Sequence, residues 1–165
     1  MRKCVDGWMP KEANPYTLKL IYSYTHIRSK GGAKMEAEVE LSRIIINEMS
    51  DQQIIVLKER HGDRSFPIVI GIVEIFAIDR RLKGIKPPRP MTHDLLANVI
   101  ENLGARIEKI VINDLRHHTF FAKIHLSVNG RTVEVDSRPS DAIALGAATD
   151  TPIYVAEHVF EQTSQ

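Results

Sequence analysis

The sequence predicts a single compact α+β domain, with mostly antiparallel strands and three main inserted helices. Three observations indicate this fold class. Runs of β-branched residues come in groups, and helical patterns are inserted between the groups. Asn129-Gly130 separates two alternating apolar segments, and this dipeptide is the strongest short signal of a hairpin. Residues 92–103 carry an apolar repeat of helical period.

The first part of the domain is predicted to contain three strands and a helix. The strands are rich in β-branched side chains and cover residues 39–48, 54–60 and 66–70. The turn between the first two lies at residues 49–51. The apolar spacing then becomes helical over residues 72–82, and Gly84 with the prolines at 87–90 ends that helix.

The helix at residues 92–103 has signals at both ends. Thr92 is a suitable N-cap, and Gly104 stands where a C-terminal glycine belongs. Its apolar stripe consists of Leu95, Leu96, Val99, Ile100 and Leu103.

A three-stranded meander is predicted next. Residues 106–116 and 119–128 flank a two-residue turn at His117-His118. Counting outward from Asn129-Gly130 gives the pairs Leu126/Val133, Ile124/Val135, His125/Glu134 and Lys123/Asp136. This register places aliphatic side chains on one face and opposite charges on the other. A helix (138–148), a strand (153–155) and a helical turn (157–162) complete the prediction.

Composition excludes several classes of protein. The chain has 165 residues with one cysteine, and its apolar runs are too short to cross a membrane. No signal-peptide pattern is present, so we expect a cytoplasmic protein with no membrane partner. Residues 1–34 hold seven of the 22 basic and two of the 21 acidic residues. They are predicted to form a flexible basic arm or an extension foreign to the native product, followed by the domain at 35–165.

The familiar catalytic signatures, such as a Walker loop or a zinc-protease motif, do not occur, so chemistry must come from local clusters. The first is residues 89–94, where His93 and Asp94 fall in the first turn of a helix and Arg89 precedes it. The helix N-terminus and Arg89 suit an anion. Alternatively, Asp94 only offsets the helix dipole.

The second cluster is residues 136–141, a strand-to-helix turn with two carboxylates and a guanidinium. Asp136 and Asp141 suit Mg²⁺, Mn²⁺ or an ordered water, and Arg138 suits a phosphoryl group. The alternative is a capped helix with an internal bridge between Arg138 and an aspartate. Both interpretations fit the spacing.

The third cluster is a basic segment in an otherwise acidic domain. It consists of Arg80, Arg81, Lys83, Lys86 and Arg89. Clustered cations neutralise phosphates, which predicts contact with nucleic acid. A solvated helix end has the same pattern, and stacking aromatics are scarce nearby.

Five runs then indicate a family resemblance. They are residues 56–59, 66–71, 89–96, 119–122 and 136–145. In this order they resemble the bifunctional nuclease domain family over about residues 35–162. The resemblance implies a bacterial α+β domain with DNase and RNase activity. It maps His93 and Asp94 onto one motif block, and Asp136, Arg138, Ser140 and Asp141 onto another. His117-His118 departs from the family pattern and requires a positive φ outside glycine.

The resulting hypothesis is a nuclease of low sequence specificity that hydrolyses phosphodiester bonds in DNA and RNA. A divalent metal, Mg²⁺ or Mn²⁺, is suspected as cofactor, held with water by Asp94, Asp136 and Asp141. His93 would move a proton, and Arg138 or Arg89 would hold the phosphate. Two alternatives stay open. One is a non-catalytic anion- or protein-binding module, and the other is a homo-oligomer that associates through strand edges.

Overall fold

The computed structural model describes residues 36–47, 49 and 52–163. The predicted arm at 1–34 and most of the turn at 49–51 lie outside the described residues. The elements are β1 (Glu36–Ile45), β2 (Gln52–Glu59), β3 (Ser65–Gly71), α1 (Ile72–Leu82), α2 (Thr92–Asn102), β4 (Ala105–Arg116), β5 (Thr119–Val128), β6 (Arg131–Ser137), α3 (Pro139–Thr149), β7 (Ile153–Ala156) and α4 (Glu157–Thr163).

The strands form one seven-stranded sheet in the order β3-β2-β1-β7-β4-β5-β6. Neighbouring strands are antiparallel except β4 and β7, which run parallel. Helices are inserted between runs of strands, so the α+β prediction is confirmed. The predicted elements all occur, with ends that differ by up to three residues.

The sheet curls strongly. Phe66 of β3 stacks on Phe120 of β5 with ring centroids 5.5 Å apart, although four strands lie between these two in the sheet. Adjacent strands in a flat sheet are about 4.8 Å apart, so a flat sheet would separate the rings much further. The shared face is therefore concave, and the apolar core fills it.

Helix α3 is the centre of the helical layer. Residues 142–146 of this helix are all buried, and it packs on β4 and β5. A Cβ on Gly146 would lie 2.4 Å from Cδ1 of Ile110, so glycine permits this close approach to β4. Helices α1 and α2 both pack against α3. This arrangement brings the starts of α2 and α3 near the end of α1.

The meander has the predicted register. Leu126 pairs with Val133, and Ile124 pairs with Val135. His117 and His118 both adopt positive φ, at 48° and 62°, as the departure from the family pattern required. Asn129 and Gly130 have φ of 50° and 76°, which corresponds to a type I′ turn.

Helix α2 differs from the expected orientation. Ala97 and Ile100 pack on the core, while Leu95, Leu96, Val99 and Leu103 are exposed. Its contacts with α3 and β4 turn the buried face away from most of the apolar stripe. None of the described helices is long and apolar enough to span a bilayer.

Candidate functional site

A network of charged side chains connects the three packed helices; we call it the interhelical cluster. Its members are Glu74, Arg80 and Arg81 of α1, His93 and Asp94 of α2, and Asp141 of α3 with the preceding Arg138. The structure thus brings part of the first predicted cluster together with part of the second. They are 48 residues apart for His93 and Asp141.

Asp141 links α3 to α2. Its carboxylate accepts two bonds from Arg138, from Nε at 2.7 Å and from Nη2 at 3.0 Å. Nε2 of His93 lies 3.4 Å from Oδ1 of the same carboxylate. Arg138 Nη2 also donates to Glu74 Oε1 at 2.8 Å, which ties α1 to the pair. The Arg138 side chain is 68% exposed, so an anionic ligand reaches this end of the network from solvent.

The local sequence places these groups at two neighbouring helix starts. Arg138 is the N-cap of α3 in an extended conformation, and Pro139 takes the first helical position. Asp141 then falls in the first turn, where the helix dipole favours a negative charge.

Helix α2 begins in a similar way, but one residue earlier than predicted. Met91 is the N-cap, so the assignment of Thr92 as N-cap was wrong. Asp94 provides the reason, because its Oδ2 accepts the backbone N–H of Met91 at 3.0 Å. This reach-back satisfies a donor that an N-cap otherwise leaves open.

Asp94 is the buried anchor of the cluster, with only 6% of its surface exposed. Arg80 Nη2 donates to its Oδ2 at 3.0 Å, and Arg81 Nη2 donates to its Oδ1. Burial alone would raise the pKa of Asp94. The Met91 N–H and the two guanidinium groups outweigh it, so the pKa lies below the ordinary value. Asp94 is therefore a charged, fully engaged carboxylate that joins α1 to α2.

Asp141 is electrostatically similar but more accessible. Burial acts to raise its pKa, and the hydrogen bonds from Arg138 and His93 outweigh that effect and lower it. At neutral pH it is an anion beside the imidazole. A carboxylate in this position fixes the orientation and tautomer of a histidine ring.

Asp136 lies on the other side of the sheet. It pairs in register with Lys123, whereas its neighbours Val135 and Ser137 pair with the buried Ile124 and Ala122. Because successive side chains of a strand alternate between faces, Asp136 points away from α3. The structure does not bring it to Asp94 and Asp141.

The predicted metal ligands do not fit a metal site in this arrangement. Within the described residues, no group of three or more His, Cys, Asp or Glu could hold a metal ion. Asp94 and Asp141 each already bind a guanidinium, and Asp136 is on the opposite face. We therefore derive no catalytic step through a metal.

The basic segment divides into two parts. Arg80 and Arg81 hold Asp94, and Lys83 holds Asp79 at 2.7 Å. Lys86 and Arg89 are exposed and form no ion pair within the part of the chain that the structure describes. Only these two of the five predicted phosphate contacts are fully available to a ligand.

Glu74 is the member that the sequence did not predict. It contacts Arg138 across 64 residues, and nothing local marks such a distant contact. The available signal was its position three residues after Gly71, in the first turn of α1. Ser140, the remaining motif residue, is buried at 8% exposure in the first turn of α3.

The fold and cluster together define an α+β protein with a His–Asp–Arg network at two adjoining helix N-termini. Comparison with known proteins places it further. The family model of the bifunctional nuclease domain matches residues 55–165, and the chain belongs to this family.

Relatives extend from bacteria to plants. An uncharacterized protein of Mycobacterium tuberculosis is 38% identical over 125 residues, which is 76% of this chain and 74% of the relative. Bifunctional nuclease 1 of Oryza sativa subsp. indica is 23% identical over 81% of this chain. Bifunctional nuclease 2 of Arabidopsis thaliana is 25% identical over 64% of it. The chain spans 42% and 33% of these two plant proteins.

Proposed function

We propose that this protein is a nuclease of low sequence specificity, which hydrolyses phosphodiester bonds in DNA and RNA at the interhelical cluster. One observation carries the proposal. His93 and Asp141, from the two motif blocks of the family, lie 3.4 Å apart beside the exposed Arg138. The names of the plant relatives support the same class of reaction.

His93 is the proton-transfer group in this proposal. Its Nε2 faces Asp141, so the Nε2–H donates to that carboxylate and Nδ1 remains to accept a proton. Asp141 then stabilises the imidazolium that forms when His93 deprotonates an attacking water or hydroxyl. This division of roles needs only a charged aspartate, and the lowered pKa of Asp141 supplies it.

Arg138 is the phosphate-binding group. It stands at the N-terminus of α3, where the helix dipole adds to its positive charge. A guanidinium matches the oxygen spacing of a phosphate and is not deprotonated at neutral pH. Glu74 and Asp141 hold Arg138 in place on the side facing the helices. Arg89 and Lys86 extend the positive surface along the preceding loop.

Paired variants test this assignment. Asp141→Asn and Asp136→Asn make the same chemical change on opposite faces of the sheet. With end-labelled single-stranded DNA and RNA, we expect D141N and H93N to lower turnover by about 10²-fold or more. D136N is expected to stay within about twofold of wild type. Loss of activity in D136N with full activity in D141N would move the site to the opposite face. Equal rates in all proteins would remove the nuclease assignment.

The requirement for a divalent ion stays a prediction, and the same assay measures it. Wild-type cleavage is followed in chelator and again after addition of Mg²⁺ or Mn²⁺. Recovery only on addition of the ion would indicate a site that substrate phosphates complete, because the protein donors alone do not form one. Equal rates in both conditions would indicate that His93, Asp141 and Arg138 suffice.

The second candidate function is a non-catalytic module that binds an anion or a protein. The bond from the Met91 N–H to Asp94 favours it, since this motif block does act as a helix cap. Under this alternative, D141N lowers stability by about 0.5–2 kcal/mol and has no specific effect on cleavage. Denaturant unfolding of the same variants separates the two functions.

A further inference from the structure

The outer side of α2 and the last strand of the sheet carry exposed apolar side chains, which we call the apolar flank. It consists of Leu95, Leu96, Val99 and Leu103 of α2 and its C-cap, with Val133 and Val135 of β6. Each of the six exposes between 39% and 77% of its surface. Soluble monomers rarely expose large contiguous apolar patches, and such patches commonly mark interaction sites.

The helix and strand parts of the flank are continuous. Leu103 ends α2, and β4 begins two residues later. Ile107 of β4 pairs with Leu126 of β5, which pairs in turn with Val133 of β6. Ile107 and Leu126 are only partly buried. An apolar row therefore runs from the end of α2 across three strands to the edge of the sheet.

The flank ends at an open strand edge. β6 is the last strand in the sheet order, so its outer backbone groups pair with no strand among the described residues. All of its residues except Ser137 are exposed. Proteins protect such edges with charges, bulges or covering segments, because an open edge can pair with another strand. Here the charges of Glu134 and Asp136 face the polar side of the sheet, and valines face the flank.

We propose that a second copy of this chain covers the apolar flank, in a two-fold dimer that pairs β6 with β6. An antiparallel pairing centred on Val133 places the two valines opposite each other and Glu134 opposite Thr132 of the second copy. It keeps the apolar face of both sheets on the same side and sets no like charges directly opposite. A two-fold interface needs one self-complementary patch, and an unpaired edge strand is complementary to itself.

The size of the flank fits a dimer interface. α2 is about 16 Å long and β6 about 23 Å long at standard rises per residue. A stable interface takes about 800 Å² of accessible surface from each partner. A face of these dimensions, with its polar rim and the strand edge, supplies that area. The dimer would leave Arg138 and His93 outside the contact between the β6 edges.

The experiment measures the mass of the full chain in solution. Sedimentation velocity across a concentration series is expected to give twice the 18.7 kDa chain mass for wild type. Val133→Lys places a charge inside the paired edge and is expected to raise the dissociation constant at least about tenfold. Leu103→Glu tests the helical part at a residue that is 77% exposed, where folding does not depend on the side chain. Val69→Lys is the matched control, since Val69 is 57% exposed on β3, the other edge strand.

The outcomes separate the possible occupants of the flank. A dimer weakened by V133K and L103E but not by V69K supports the proposal, provided circular dichroism shows folded variants. A monomeric wild type overturns it. Hydrogen exchange then identifies the reason: protected β6 amides in a monomer would indicate that residues 1–35 of the same chain cover the edge. A dimer weakened only by V69K would place the interface at β3 and also overturn the proposal.

Discussion

Asp94 shows how one residue of a family motif serves the fold rather than the reaction. It is buried, accepts the Met91 N–H and binds Arg80 and Arg81. Asp141 has the same position in its own helix but remains partly exposed and contacts His93. Two aspartates with equivalent sequence context thus have different roles, and burial distinguishes them.

We predict that Asp94→Asn destabilises the protein by about 3 kcal/mol, because it leaves two partly buried guanidinium groups without their carboxylate. Urea unfolding measures the change. Asp136→Asn, an exposed position on the opposite face, is the control and should stay within about 0.5 kcal/mol of wild type. If both variants have equal stability, the ion pairs with Arg80 and Arg81 contribute nothing to folding.

The same residue predicts the acid behaviour. The pKa of Asp94 is below its ordinary value in the folded protein, so its contribution is complete above the unfolded pKa of about 4. It is lost as the pH falls through the folded pKa. The stability difference between wild type and D94N should therefore shrink below about pH 4. A constant difference down to pH 2 would contradict the lowered pKa.

At the scale of elements, local chemistry predicted most of the fold. The type I′ turn at Asn129-Gly130 sets the register of β5 and β6 by itself, so counting from the turn was sufficient. Helix α1 was predicted from apolar spacing at its observed bounds. The orientation of α2 was not predictable in this way, because it depends on contacts with α3 and β4.

The candidate site was predicted only in part for the same reason. Both motif blocks were recognised, but the contact of His93 with Asp141 needs two helices to pack side by side. The opposite placement of Asp136 was available from the sequence. Its predicted pairing with Lys123 already assigned it to the polar face of the meander. Glu74 had no sequence signal for its contact with Arg138.

The turn at His117-His118 gives a prediction at this scale. Both residues have positive φ, and a left-handed conformation costs roughly 1 kcal/mol for a residue with a Cβ. His118→Gly should therefore stabilise the protein by about 0.5–1 kcal/mol in thermal or urea unfolding. Gly130→Val, at φ 76° in the equivalent turn, should destabilise it by about 1 kcal/mol or more. Opposite signs for these two changes would show that the turns are not type I′.

For the whole molecule, the distribution of charge determines how nucleic acid binds. The five cations of the basic segment suggest a strongly salt-dependent interaction when read from the sequence. In the folded protein, Arg80, Arg81 and Lys83 are neutralised by Asp94 and Asp79. The remaining exposed cations near the cluster are Lys86, Arg89 and Arg138. Intramolecular ion pairs therefore reduce the number of phosphates that the protein can neutralise.

This gives a quantitative prediction for binding. With two or three phosphates neutralised, log K should fall with log salt at a slope of about −2 for a single-stranded oligonucleotide. Fluorescence anisotropy over a salt series measures the slope. The double variant K86A/R89A should make it shallower by about 1 to 1.4 and weaken binding, because each lost contact releases fewer counterions. Lys58→Ala on β2, distant in the sheet order from β6, is the control and should leave it unchanged. A wild-type slope near −4 would mean that Arg80 and Arg81 exchange Asp94 for phosphate when the substrate binds.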